Sequence, residues 1–285
     1  MFIKTTAPTH SLILELLLIM QQACEILNQE FQDYCSGATF DVEKKIDESP
    51  VTQADYRVNY YLMQALAEIS NLPVLSEEGE QDQRLQWQKF WLLDPLDGTK
   101  EFLHQRPEFT INLSLICGAL TTFAVLAVPG EHTIYFCPEQ GMPLKYQILN
   151  QQWYLYQPAP TVTSSILKIG LSHSSQKKSH YADYLKCLAQ LTNFEEVKAG
   201  SAYKFCMILE DRVDVYPRFH PTSEWDTSAG QCLLERIGGG LVDLQGRAFV
   251  YNQRDTLLNG GFIAYKNTQM KMIALQALGL MAKSD

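Results

Sequence analysis

The sequence predicts a layered α/β sandwich made of two packed subdomains. Three observations predict it: helical patterns at the start of the chain, a group of strand patterns in its first half, and alternating helix and strand patterns in its second half. With 285 residues, of which 46% are hydrophobic, the chain can form one domain or two closely packed halves. A polar, proline-containing stretch predicts a boundary near residue 160, which divides residues 1–160 from residues 161–285.

Two helices are predicted before the first buried strand. Apolar residues dominate one broad face of residues 12–31. Apolar residues also recur at helical spacing from Val58 to Ile69. We therefore expect a long first helix over 12–31 and a second helix that begins near Asp55 and ends around Ser70.

Strand patterns follow the second helix. Residues 90–93 form a continuous apolar run, as in a strand that is buried on both faces. Residues 109–115 alternate between apolar and polar side chains, which is the period of a half-buried strand. The other expected strands are 73–75, 122–128, 133–137, 167–171 and 213–216, and further helices are expected over 201–210 and 227–236.

Charge and cysteine content limit the function classes. A net charge of −9 disfavours binding to long nucleic acid. The seven cysteines have no C-x-x-C spacing, so they indicate neither a disulfide framework nor a zinc ribbon and fit a reducing, cytoplasmic location. The apolar stretch 12–20 is shorter than the roughly 20 residues that span a bilayer, and no signal-peptide cleavage site follows it. The sequence leaves open peripheral attachment of this end to the inner face of a membrane, and either a monomer or a homodimer.

The acidic residues after the run 90–93 indicate a metal site. Asp94 and Asp97 place two oxygen donors at the end of a strand, where open α/β sheets bind ligands. Mg²⁺ prefers carboxylates together with substrate phosphate. Gly98 would let a phosphate approach the backbone, and the amides of Gly98 and Thr99 would donate to it if they open a short helix.

Each acidic residue also has a purely structural interpretation. Asp94 and Asp97 could belong to an ordinary turn, and Glu77 to a solvated loop. Asp226 could cap the helix that follows it, and Asp55 could cap the second helix.

Three segments resemble the signature blocks of the inositol monophosphatase superfamily. They read S-E-E at 76–78, D-P-L-D-G-T-K-E-F at 94–102 and W-D-T-S-A-G at 225–230. The order and spacing of these blocks agree with that superfamily, and the resemblance covers residues from about 11 to 264. It implies a five-layer α-β-α-β-α sandwich of the inositol monophosphatase and sugar phosphatase type.

Four further segments resemble the 3′(2′),5′-bisphosphate nucleotidase branch of the superfamily. They read P-V-T-Q-A-D at 50–55, K-E-F at 100–102, G-S-A-Y-K-F-C at 200–206 and Y-P-R-F at 216–219. One segment departs from the branch: where the branch usually has S-R-S-H, this chain has Ser172-His173-Ser174-Ser175. The substrate preference therefore stays open at this stage, and His173 could compensate for the missing arginine or be incidental.

The resemblance implies metal ligands. Glu77, Asp94 and the carbonyl of Leu96 would hold a first Mg²⁺ ion. Asp94, Asp97 and Asp226 would hold a second, so that Asp94 bridges the two. Two or three ions are implied in all.

The resemblance also implies how water and substrate are held. A nucleophilic water would be positioned by Glu77 and by Thr99, whose hydroxyl would donate to Asp55. The implied substrate-binding residues are Gly98, Thr99, Gly200, Ser201, Lys204 and Asp226. Lys204 could instead be a solvated helix residue.

The expected function is Mg²⁺-dependent hydrolysis of a small phosphorylated nucleotide. By resemblance, the substrate is adenosine 3′,5′-bisphosphate and the products are adenosine 5′-phosphate and phosphate, which would clear a by-product of sulfate assimilation. Two alternatives remain: an inositol or other sugar phosphatase, which would use the same metal ligands, and a non-catalytic nucleotide or metal sensor.

Overall fold

The computed structural model describes residues 1–40, 42–44, 50–80, 82–158, 166–173, 175 and 179–283. In chain order its strands are β1 (Phe2–Thr5), β2 (Val42–Lys44), β3 (Pro50–Thr52), β4 (Val74–Ser76), β5 (Lys89–Asp97), β6 (Thr110–Cys117), β7 (Leu120–Val128), β8 (Thr133–Cys137), β9 (Leu144–Gln147), β10 (Gln152–Tyr156), β11 (Ile166–Leu171), β12 (Asn193–Lys198), β13 (Val215–Arg218), β14 (Thr222–Ser223), β15 (Gly240–Asp243), β16 (Leu258–Asn259) and β17 (Phe262–Tyr265). Its α-helices are α1 (Ser11–Cys35), α2 (Gln53–Ile69), α3 (Thr99–Leu103), α4 (Ser179–Leu188), α5 (Tyr203–Leu209), α6 (Ser228–Arg236) and α7 (Thr268–Met281).

Two sheets and three layers of helices alternate through the molecule. The first sheet has the strand order β1-β10-β9-β8-β7-β6-β5-β4, and the second has the order β12-β11-β13-β17-β15. Helices α1 and α2 cover the outer face of the first sheet, α5 and α6 lie between the sheets, and α4 and α7 cover the outer face of the second. This is the five-layer α-β-α-β-α sandwich that the resemblance implied.

The buried strand β5 explains why its sequence is a continuous apolar run. Trp91 and Leu93 face the core beneath α1 and α2, whereas Phe90 and Leu92 face the core around α5 and α6. Successive side chains of a strand point to opposite faces, so a strand between two helical layers needs apolar residues at every position. This strand lies next to the edge strand β4 of the first sheet, and its carboxyl end carries the acidic residues.

Most predicted elements are present, but the end of β5 was predicted wrongly. The expected strand 90–93 continues through Asp97, because Asp94 pairs with Asn112 and Asp97 with Thr110 across an irregularity in the register. A bulge of this kind bends a strand and redirects its side chains. The two aspartates consequently belong to the strand and not to a turn after it.

The polar, proline-containing stretch before the expected boundary contains the strand β10 (Gln152–Tyr156). Trp153 and Tyr156 are buried there, while Tyr154 and Leu155 are partly exposed. The expected boundary at 160 lies outside the described residues, so the division into 1–160 and 161–285 stays a prediction. Among the helices that the structure describes, only α1 is long and apolar enough to cross a membrane, and 44% of its most apolar window is buried in the protein.

Candidate metal centre

Three aspartates converge beside the end of β5. Asp94 and Asp97 come from β5, and Asp226 ends a short 3₁₀ turn (Glu224–Asp226) that precedes α6. Each aspartate offers one carboxylate oxygen, and these three oxygens all lie within 4.8 Å of one another. The structure thus brings together residues that are separated by more than a hundred positions in the chain.

Glu77 joins this cluster from the neighbouring strand. Because β4 and β5 are parallel, their carboxyl ends lie at the same edge of the sheet. The Glu77 amide donates to the Leu93 carbonyl at 3.0 Å, and the Glu77 carboxylate lies close enough to Asp94 for its charge to raise the pKa of Asp94. Glu77 therefore lies in a half-buried turn, where its charge acts on the acidic cluster, and its role as a metal ligand stays a prediction.

Only one of the two Asp94 carboxylate oxygens accepts a hydrogen bond from the described part of the chain. Its Oδ1 accepts the Leu96 amide at 3.0 Å. Its Oδ2 is buried and has no hydrogen-bond partner among the described residues. A buried acceptor without a donor is costly, and a cation is the kind of group that would satisfy it.

Burial raises the pKa values of these three aspartates, and for Asp94 and Asp226 the charges of neighbouring carboxylates add to the shift. Burial, followed by the charges of Glu77, Asp97 and Asp226, raises the pKa of Asp94 well above its usual range. Burial and the charges of Asp97 and Glu77 raise the pKa of Asp226 to about 8, against the nearby Arg218 guanidinium, which lowers it. Burial also raises the pKa of Asp97, although the Ala202 amide opposes this shift. Hard oxygen donors that repel one another in this way fit a divalent cation such as Mg²⁺.

Asp226 does not cap α6. That helix begins at Ser228 with Thr227 before it, and no side chain caps it. The Asp226 carboxylate instead accepts the Ser223 amide at 2.8 Å, at the start of the 3₁₀ turn. One oxygen is therefore used to hold the turn, and the side chain is kept beside Asp94 and Asp97.

Asp55 is both a helix cap and a partner of Thr99. Its Oδ2 accepts the amide and the hydroxyl of Thr52 at 2.8 and 2.7 Å, which completes a capping box at the start of α2. Its Oδ1 accepts the Thr99 hydroxyl at 3.0 Å. Burial raises the pKa of Asp55 to about 6, although the bonds from Thr52 and Thr99 lower it. The alternative in which Asp55 serves only as a cap is wrong.

Gly98 turns the chain from β5 into α3. Its φ is +105°, in the left-handed region that favours glycine. A Cβ there would lie 3.1 Å from the Cβ of Ser201 and 3.2 Å from the Cα of Phe109. Thr99 then begins α3, and its hydroxyl also lies 3.4 Å from the Leu96 carbonyl. The expected short helix after Gly98 is confirmed.

Lys204 lies inside the protein. It is 0% exposed, its Nζ donates to the carbonyls of Ala199 and Ser201 at 2.8 and 2.9 Å, and the ammonium lies 4.6 Å from the centre of the Tyr216 ring. Burial and the charge of Arg218 lower the pKa of Lys204 to about 7. The interpretation of Lys204 as a solvated residue is therefore wrong.

Ser201 lies next to Gly98, but the polar groups of Ser201 and of the preceding Gly200 have partners within the protein. The Gly200 amide donates to the Glu108 carboxylate at 2.8 Å, and the Ser201 hydroxyl donates to the Glu108 carbonyl at 2.8 Å. His173 contacts the same carboxylate at 2.7 Å. Sequence reasoning missed Glu108, and no local pattern marks it.

Arg218 was also not assigned a role. Together with Asp97, Ser201, Thr222 and Asp226 it lines a cavity of about 30 Å³, which can hold one water molecule. Arg218 places a positive charge beside two of the converging acids. The sequence did contain a signal for Arg218, because it belongs to the segment Y-P-R-F (216–219), which resembles the nucleotidase branch.

Fold and site together define a five-layer α/β protein with a buried acidic centre that suits divalent cations. The chain belongs to the inositol monophosphatase family, whose sequence profile matches residues 13–278. It is 32% identical over 252 residues to the 3′(2′),5′-bisphosphate nucleotidase CysQ of Salmonella typhimurium, and the match covers 86% of this chain and 98% of that protein. The 3′(2′),5′-bisphosphate nucleotidase CysQ of Escherichia coli strain K12 is 33% identical to this chain, and the match again covers 86% of this chain and 98% of that protein.

Solved structures agree with the fold. CysQ from Bacteroides thetaiotaomicron, described as a bacterial member of the inositol monophosphatase family, has a TM-score of 0.70 and 30% identity, and the match covers 87% of this chain and 94% of that one. The extragenic suppressor protein SuhB of Bartonella henselae has a TM-score of 0.76 with 18% identity, and covers 94% of this chain and 98% of that one. At that identity the second comparison supports the fold alone.

Proposed function

We propose that this protein is a Mg²⁺-dependent phosphomonoesterase, a 3′(2′),5′-bisphosphate nucleotidase that converts adenosine 3′,5′-bisphosphate to adenosine 5′-phosphate and phosphate. The observation that carries the proposal is the convergence of Asp94, Asp97 and Asp226, with a buried Asp94 oxygen that has no partner among the described residues. Relatives with 32–33% identity carry that nucleotidase name. In this proposal the enzyme is cytoplasmic and takes part in sulfate assimilation by clearing a by-product.

The acidic residues would hold the cations. Glu77, Asp94 and the Leu96 carbonyl would bind one Mg²⁺ ion, and Asp94, Asp97 and Asp226 a second. Bound Mg²⁺ supplies a water of lowered pKa and neutralises charge on the phosphate and the leaving oxygen. The pKa values of the carboxyl groups, raised by burial and mutual repulsion, mean that protons compete with cations for this site.

Thr99 and Asp55 would orient the attacking water. Because the Thr99 hydroxyl donates its proton to Asp55, its oxygen lone pairs are left to accept a proton from water. Glu77 would accept the other proton. A water held by two acceptors has its own lone pair directed away from both, which is the orientation needed for in-line attack on phosphorus.

The loops around Gly98 and Ser201 would hold the substrate. The amides of Gly98 and Thr99 are proposed as donors to the phosphate, with Gly200, Ser201 and Asp226 around the sugar. When protonated, Lys204 would place a positive charge beneath this surface, where its ammonium donates to the carbonyls of Ala199 and Ser201. Preorganised positive charge of this kind stabilises phosphoryl transfer.

Phosphate release from different substrates tests the proposal. Adenosine 3′,5′-bisphosphate, inositol 1-phosphate and fructose 1,6-bisphosphate are compared with and without Mg²⁺. We expect the nucleotide to be the best substrate and all turnover to require the cation. Faster turnover of inositol 1-phosphate would indicate a sugar phosphatase, and tight nucleotide binding without phosphate release would indicate a sensor.

A further inference from the structure

Glu108 lies outside the acidic centre but contacts the loop that borders it. Its Oε2 accepts the Gly200 amide at 2.8 Å, and the same oxygen lies 2.7 Å from Nε2 of His173. Its backbone carbonyl accepts the Ser201 hydroxyl at 2.8 Å. One residue therefore anchors two successive residues of the loop between β12 and α5.

The anchored loop has a constrained backbone conformation and close packing. Ser201 has a φ of +41°, a left-handed conformation that is unfavourable for a residue with a Cβ and must be held by its surroundings. Gly200 packs so closely that a Cβ there would lie 2.3 Å from Cγ of Glu101. Lys204 holds the same loop from inside through the Ser201 carbonyl.

The next residue of the loop reaches the acidic centre. The Ala202 amide donates to Oδ2 of Asp97 at 2.5 Å. The chain of contacts thus runs from Glu108 through Gly200 and Ser201 to Ala202, and from there to an aspartate of the converging cluster. The Asn112 side chain on β6 also hydrogen-bonds to Asp97, so the Ala202 amide is the contact by which this loop acts on the aspartate.

We propose that Glu108 is a positioning residue for Asp97. By fixing Gly200 and Ser201, it keeps the Ala202 amide aimed at one Asp97 oxygen, so that the other is presented towards Asp94 and Asp226. His173 supports Glu108 through the shared oxygen. This inference rests on the proposed function in one respect, which is that Asp97 binds a divalent cation.

Glu108 does not itself belong to a second cation site. Ligand atoms of Glu101, Glu108 and His173 lie within 4.8 Å of one another. However, Arg106 pairs with Glu101 at 2.8 Å, and Glu108 already accepts the Gly200 amide. Both carboxylates are therefore already held by partners within the protein, as expected for a structural support.

The test measures Mg²⁺ binding by calorimetry without substrate, in wild type, Glu108→Ala and Glu108→Gln. Loss of a residue that orients a metal ligand typically costs about 10- to 100-fold in metal affinity. We expect Glu108→Ala to weaken Mg²⁺ binding about tenfold or more. Glu108→Gln should bind within about threefold of wild type, because its amide oxygen can accept from both Gly200 and His173. The charge control is Glu195→Ala, which removes an exposed carboxylate on β12 and should bind as wild type does.

A double-mutant cycle separates positioning from general destabilisation. If Glu108 acts through Asp97, then Glu108→Ala should have no further effect on Mg²⁺ binding in an Asp97→Asn background. Should Glu108→Ala fail to fold, Glu108→Asp replaces it, since the shorter side chain keeps the charge but retracts from Gly200.

The outcomes distinguish a failure of the proposed function from a failure of the role proposed for Glu108. A wild-type protein that binds no Mg²⁺ would refute the proposed function. A wild type that binds Mg²⁺ while Glu108→Ala binds equally well would overturn only the role of Glu108. Equal losses in Glu108→Ala and Glu108→Gln would overturn it as well, because the hydrogen-bond acceptor would then be irrelevant.

Discussion

The hydroxyl of Thr99 donates a hydrogen bond to Oδ1 of Asp55 over 3.0 Å, joining the start of α3 to the start of α2. The Asp55 carboxylate is itself fixed by the amide and hydroxyl of Thr52. The direction of the Thr99 bond is therefore determined by the protein, because an ionised carboxylate can only accept. The Thr99 proton is therefore used in the hydrogen bond to Asp55, and the Thr99 hydroxyl oxygen is left free to accept a hydrogen bond from another group.

Replacing Thr99 by Val should reduce kcat for phosphate release by about 100-fold or more, because the attacking water loses an acceptor while the shape of the side chain is kept. The affinity for Mg²⁺, measured by calorimetry, should change little. Steady-state kinetics at saturating Mg²⁺ provide the measurement. A normal kcat in Thr99→Val would exclude this hydroxyl from water positioning, and Thr99→Ser, which keeps the hydroxyl, is the matched control.

Asp94→Asn should abolish phosphate release while the protein remains folded. The variant keeps the acceptor for the Leu96 amide but removes the charge that is proposed to serve both cations. Because burial and three neighbouring acids disfavour the charge on Asp94, the melting temperature in EDTA should be equal to or higher than that of wild type. Phosphate release close to the wild-type rate would contradict the bridging role.

The sequence predicted the parts of this site that lie within single segments. The apolar run 90–93 and the spacing of Asp94 and Asp97 are local patterns, so β5 and its two acids could be recognised. The position of Lys204 was also readable in principle, since α5 is otherwise apolar on every side and such a helix is buried.

The remaining parts depend on contacts between distant segments. Glu108 acts through Gly200, which lies 92 residues further along the chain, and no spacing rule connects such positions. The bulge that keeps Asp97 within β5 arises from pairing with Thr110 in the neighbouring strand. Pairing between strands is a property of the folded sheet, so neither feature could be read from one segment alone.

The metal-free protein should become less stable as the pH rises. In the folded chain the pKa of Asp226 is raised from 3.8 to about 8, so the folded state binds this proton more tightly than the unfolded state. The associated stability is fully present below pH ~4 and is lost as the pH rises towards ~8. Urea unfolding in EDTA should therefore give a free energy of unfolding that decreases between about pH 5 and pH 8.

Two controls accompany this pH series. Asp226→Asn should show a shallower decrease, because it cannot take up or release the proton. Saturating Mg²⁺ should reduce or reverse the decrease, since the cation binds the deprotonated carboxylates. A wild-type profile in EDTA that rises steadily over this range would show that the carboxyl groups of the acidic centre are ionised without a cation.

The packing of α6 against α5 leaves no room for a side chain at Gly230. A Cβ there would lie 2.2 Å from Cδ2 of Phe205, and Phe205 is itself buried against the rings of Tyr216 and Phe262. Gly230→Ala should therefore lower the free energy of unfolding by about 1–3 kcal/mol. Gly279→Ala is the matched control, because Gly279 lies in α7 with no atom within 4 Å of the added Cβ, and the change should stabilise the protein by about 0.5–1 kcal/mol. Equal effects of the two substitutions on urea unfolding would mean that the layer between the sheets is not closely packed at this helix pair.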